Sequence, residues 1–138
     1  MGQQQLLLII LGVIIVGLAI AVGITMFSDN AVSANRDAMT SDLIHIAAKA
    51  KHYFSRPSSM GGGGYSFAGL TADDAGMLKL VSQRFLDDNP NGIYIIKVAG
   101  DGNEITLQGT GKTPKDDGSF PILECRVTRN SQQITVVN

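Results

Sequence analysis

LLLIILGVIIVGLAIAVGITMF, residues 6–27, decides the fold, because nothing else in the chain constrains its surroundings so tightly. Thr25 is its only clearly polar side chain. As an α-helix the run is about 33 Å long, which matches the hydrocarbon core of a bilayer. Apolar residues occupy every face, which excludes the one-sided helix of a soluble core. The β-branched Ile and Val residues do not argue against helix. In lipid only a helix or a closed barrel satisfies the backbone. Gly12, Gly17 and Gly23 interrupt the run at spacings that make no GxxxG pairing motif, and they read instead as weak points of the helix.

The flanks sharpen this. Residues 1–28 hold no Asp, Glu, Lys or Arg, and all 11 basic and 12 acidic residues fall from Asp29 onward. The mean composition, 44% hydrophobic with a net charge of −1, thus averages an apolar segment and an ordinary polar domain. A length of 138 residues allows one core of ordinary size. The charge balance gives no electrostatic case for nucleic acid as a partner. Three roles fit the segment: a cleaved signal peptide, a simple membrane anchor, or a helix that leaves lipid for a filament core. Ala19-Ile20-Ala21 resembles a signal cleavage site, but the positively charged start that such peptides carry is missing.

Beyond the apolar run, Met39, Leu43, Ile46, Ala47, Ala50, Tyr53 and Phe54 recur at helical spacing. They predict one continuous stripe, packed on a sheet. His45, Lys49, His52 and Arg56 fall on the opposite side, either as a solvated face or as a basic face that meets acids of a neighbouring copy. The two histidines are about two turns apart, too far to chelate one metal unaided. Arg56-Pro57 ends the helix.

Residues 1–54, MGQQQLLLIILGVIIVGLAIAVGITMFSDNAVSANRDAMTSDLIHIAAKAKHYF, resemble the type IV pilin and pseudopilin family. Its members share the order seen here: a few terminal residues, a long apolar stretch, an amphipathic continuation and a small β-sheet. The departures are specific. The family's glutamate at the fifth mature position is replaced by Gln5, or by Leu7 if Gly2 ends a short leader. The usual proline late in the apolar stretch and the C-terminal cysteine pair are absent. Archaeal pilins are close relatives in this reading.

The resemblance implies a structural, non-enzymatic subunit without cofactor or metal. It implies an inner-membrane precursor with its N-terminus cytoplasmic, then a cell-surface or periplasm-spanning helical filament of identical copies. The implied partners are a prepilin peptidase and the filament assembly machinery. Gln3, Gln4 and Gln5 become the N-terminal assembly contact. A neutral amide is cheaper to hold in lipid than an unpaired carboxylate, and it still accepts a hydrogen bond. The plainer reading makes them a polar cap at the membrane interface. The filament core is then Leu6, Leu7, Leu8, Ile9, Ile10, Val13, Ile14, Ile15, Val16, Leu18, Ile20, Val22, Ile24, Met26 and Phe27. Gly12, Gly17 and Gly23 would let the helix lose hydrogen bonds locally during extraction, with Gly17 or Gly23 at or beside any break. The competing role is a monomeric, membrane-anchored domain that binds an envelope ligand.

The expected fold class is α+β: a long N-terminal helix, hydrophobic then amphipathic, on an antiparallel sheet of about four strands. Residues 1–28 form the apolar part and 29–138 the globular part. Within the latter, 29–56 is the amphipathic helix half, 57–92 a Gly-rich loop with a short helix, and 93–138 the sheet. Gly61–Gly64 lacks the Gly-Lys-Ser/Thr ending of a phosphate loop and reads as a flexible or tightly packed connection. Thr71 is expected to cap a helix to about Phe85, with Leu78, Val81 and Phe85 over the sheet. Asp87–Gly92 hints at calcium, although turn chemistry explains its residues as well. Strands are expected at Ile93–Val98, Glu104–Gln108, Pro121–Thr128 and Gln132–Val137, with a polar loop at 112–118. Cys125, the single cysteine, points inward and reads as a core thiol.

Overall fold

The structure, a computed structural model, describes residues 2–138; Met1, at the head of the apolar segment, lies outside the described residues. Helix α1 runs without interruption from Gly2 to Ser55, 54 residues. The sheet is antiparallel, four-stranded and in the order β1-β2-β3-β4: Gly92–Val98, Glu104–Gly111, Ile122–Thr128 and Gln132–Val136. Helices α2 (Asp74–Leu78) and α3 (Gln83–Asp88) lie between α1 and the sheet in sequence and contact β1. The architecture is α+β, a long apolar N-terminal helix packed on a small antiparallel sheet, pilin-like in shape.

The amphipathic stripe forms the core as its spacing predicts. Met39, Leu43, Ile46, Ala47, Ala50 and Phe54 are buried, and Tyr53 packs at their edge. They lie over β2 and β3, against Ile105, Leu107, Leu123, Cys125 and Val127. Strand alternation supplies these partners, since every second residue of β2 and β3 faces the helix. The second strand runs three residues beyond the expected end at Gln108. Gly109 and Gly111 sit on its inner face where α1 comes closest. A Cβ at Gly109 would stand 2.9 Å from Tyr94, and one at Gly111 would stand 2.3 Å from Asn35. Both glycines leave room for side chains that pack against the strand, Tyr94 and Met39 at Gly109, and Asn35, Pro121 and Met39 at Gly111.

The glycine run is the tight connection rather than the flexible one, and it caps α1. The amides of Gly63, Gly64 and Tyr65 donate to the carbonyls of Tyr53, Arg56 and Phe54. These are oxygens a helix end otherwise leaves unpaired. Gly61 and Gly64 take left-handed φ of 76° and 57°, and a Cβ at Gly63 would meet the Ser66 carbonyl at 1.9 Å. The turn then lays Phe67 on Phe54, ring centroids 4.7 Å apart.

The expected single helix over 71–85 is two. Asp73, not Thr71, caps α2 by accepting from the Gly76 amide at 2.8 Å, while the Thr71 hydroxyl donates to the same carboxylate. These bonds hold the Asp73 carboxyl below its ordinary pKa, Thr71 foremost. Ser82 starts α3 afresh. The break changes the helical phase, so Met77, Leu80 and Val81 are buried and Leu78 is exposed.

Candidate assembly interface

The first half of α1 meets no other part of the chain. From Leu6 to Phe27 its large apolar side chains are all more than half exposed, between 54% at Ile10 and 77% at Phe27. Leu11, omitted from the expected core set, is as exposed as Ile10. Aliphatic surface on every side of a helix is stable only against lipid or other apolar protein. The helix is long and apolar enough to span a membrane. Thr25 turns its hydroxyl back onto the Val22 carbonyl at 2.9 Å, so even this group is satisfied without water.

Gln3, Gln4 and Gln5 occupy the first turns of α1, all exposed. Gly12, Gly17 and Gly23 lie inside regular helix, and a Cβ at any of them would meet nothing within 4 Å. No steric requirement of the single chain calls for glycine there. Each lowers helix propensity by about 1 kcal/mol relative to Ala.

The apolar half becomes the globular half at a neck. Val32 is the first buried residue of α1. Ser28 donates to Asp116 of the β2–β3 loop at 2.6 Å, tying sheet to helix four residues earlier. Asp29, Asp37, Asp116 and Asp117 are exposed around this neck. Nearby cations turn into their own chain: Arg36 and Lys115 donate to Asn138, Lys112 donates to the Asn89 carbonyl, and Lys115 also pairs with Asp117 at 3.9 Å.

Farther along α1, Asp42 fastens the 89–91 turn; Asp87 and Asp88, expected to break the helix, are instead the last residues of α3. One of its oxygens accepts from Asn89 at 3.1 Å, Asn91 at 2.9 Å and the Tyr94 hydroxyl at 2.7 Å. Asn35 adds a bond to the Asn91 carbonyl at 2.7 Å. The asparagines that suggested calcium are therefore spent on turn and helix contacts, and no metal-binding cluster occurs among the described residues. Burial and the adjacent Asp42 carboxylate raise the Tyr94 pKa well above the usual tyrosine range.

At the far end of α1 the exposed face is basic. His45, Lys49, His52 and Arg56 are all exposed, as their spacing predicts. Lys79, the residue after α2, joins them across an open cleft of about 250 Å³ shared with Lys49, His52 and Arg56, and donates to the Gly69 carbonyl at 2.6 Å. Lys79 lies far away in sequence, and only the fold of the glycine turn brings it here. None of these cations is in an ion pair among the described residues. Cys125 is fully buried in β3 and its thiol is pushed up to about 11 by burial.

Comparison with known proteins returned no family model, no curated protein and no solved structure that matches this chain.

Proposed function

We propose that the chain is the structural subunit of a type IV pilus-like filament, assembled through the apolar half of α1. The observation that carries this reading is continuity. The exposed aliphatic segment and the stripe that braces the sheet belong to one unbroken helix, Gly2–Ser55. A tethered binding domain needs only an anchor and gains reach from a flexible linker. A filament subunit needs a rigid connection, because the register of the buried helix must fix the position of the domain outside.

In this reading the subunit waits in the inner membrane with its domain outside. A prepilin peptidase trims it, and an assembly machine extracts it. Residues from Met1 to about Phe27 then bundle with neighbouring copies. Apolar burial stabilises by about 25 cal/mol per Å² taken from water. Lipid is the starting state here, so the net gain comes from packing and is smaller. The role is structural rather than catalytic.

Negative-stain microscopy of material sheared from cells, with mass spectrometry of the subunit's N-terminus, tests assembly and processing together. The reading expects filaments containing this chain. Monomers alone, fixed in detergent-extracted membranes, would reject it in favour of the anchored binding domain. In filaments, a Gln5→Ala change that leaves assembly intact removes Gln5 from any pairing role.

A further inference from the structure

We infer that the basic cleft at the far end of α1 docks onto the acidic neck of a second copy of this chain. The inference rests on the filament reading and adds a specific contact to it. The neck of the globular half exposes Asp29 and Asp37, together with Asp116, which accepts from Ser28, and Asp117, which pairs with Lys115 at 3.9 Å, while the neighbouring Arg36 and Lys112 donate to carbonyls of their own chain. Its far end exposes Lys49, His52 and Arg56 on α1 around one open cleft, joined by Lys79 just past α2, which donates to the Gly69 carbonyl at 2.6 Å. Asp73 is taken up in capping α2, and Asp74, the acid nearest to Lys79 in sequence, is exposed beside it in the first turn of that helix.

Two features select another copy as the occupant. Unpaired cations gathered in one place repel each other, and the neck supplies matching carboxylates in equal supply on every copy. The placement is also suitable. His45, Lys49, His52 and Arg56 lie on the side of α1 turned away from its own sheet, because the buried stripe occupies the other side. Copies whose apolar halves converge on a common axis turn that side inward, toward their neighbours' helices. A membrane surface is excluded as occupant, since Lys49 lies about 33 Å along the helix from the end of the apolar run.

The same geometry fixes the displacement between joined copies. The acidic stretch 29–37 and the basic stretch 49–56 are separated by about 30 Å of helix. Copies joined acid to base are therefore offset by about 30 Å along the axis. The contact is head-to-tail and leaves a free patch at each end, as open polymers require.

Charge reversal of the full chain in cells tests the contact. Lys49→Glu with Arg56→Glu is expected to lower the yield of sheared filaments about tenfold or more. Adding Asp37→Lys and Asp116→Lys is expected to restore it, a rescue that misfolding does not produce. Lys49→Gln with Arg56→Gln serves as a second, milder variant. Wild-type filaments should dissociate faster as salt rises from about 0.1 M to about 1 M, and filaments of the Gln variant should lose that sensitivity. Wild-type filaments with full assembly of the reversed variant would overturn the inference while leaving the filament reading intact. Failure of the rescue, with salt sensitivity kept in the Gln variant, would do the same. Absence of wild-type filaments would overturn both.

Discussion

Asp42 shows how much one side chain organises. Its carboxylate accepts three hydrogen bonds from the turn and strand that follow α3, at the point where Asn89 is buried. Asp42→Ala strands those donors and is expected to cost about 2–3 kcal/mol, read as a lower thermal midpoint of the full chain in detergent. Asp42→Asn keeps an acceptor and should cost about half as much. Tyr94 and Cys125 give a pH dependence of definite sign. Both have folded pKa values raised above their ordinary 10.0 and 9.0. The folded state therefore holds protons that the unfolded chain releases, and stability falls with rising pH once pH 9 is passed. A stability profile flat from pH 8 to pH 11 would contradict this, as would labelling of Cys125 by a thiol reagent without denaturant. The inward phase of Cys125 is legible in the alternation of β3. The Asp42 network is not, because its members are some 47–52 residues apart in sequence and only the fold joins them.

Among the elements, α1 and the strands are legible because their periodicities are clean. Alternation places β3 and β4 to within a residue or two, and the stripe from Met39 to Phe54 predicts the buried face of α1. The region 71–88 is misread for a physical reason. Several residues there can cap a helix, and Asp73 and Ser82 each win a local competition that propensity leaves open. The glycine turn is equally local. Gly63→Ala places a Cβ on the Ser66 carbonyl and is expected to cost about 2 kcal/mol or more by thermal unfolding. Gly61→Ala meets no atom, and its cost is that of the left-handed backbone alone, about 1 kcal/mol. The glycines of the apolar half predict the reverse. Gly17→Ala with Gly23→Ala fills open space in regular helix and should slow amide exchange around both positions in detergent. If those glycines serve extraction, the same pair lowers filament yield. A continuous regular helix through Gly17 and Gly23 in filaments would remove that role, since the single chain already shows one.

At the scale of the whole molecule, the two halves of α1 pose opposite requirements. One half is covered by the sheet, and the other has its aliphatic side chains bare on all sides. The edge of the sheet repeats the point more weakly: Ile134 of β4 is only half-buried and Val136 is 53% exposed on the face turned toward α1, beyond the reach of the helix. Sequence alone separates these halves cleanly, because charge stops where lipid would begin. What neighbours cover the bare half is a property of many copies, and it is written in no single chain's packing. Electron cryomicroscopy of sheared surface material measures it directly. The account predicts filaments whose central density is packed α1 helices, with Leu6–Phe27 of adjoining copies in contact and the sheets outside. Surface material without such filaments, or filaments of this chain whose axis is not built from α1, would contradict it.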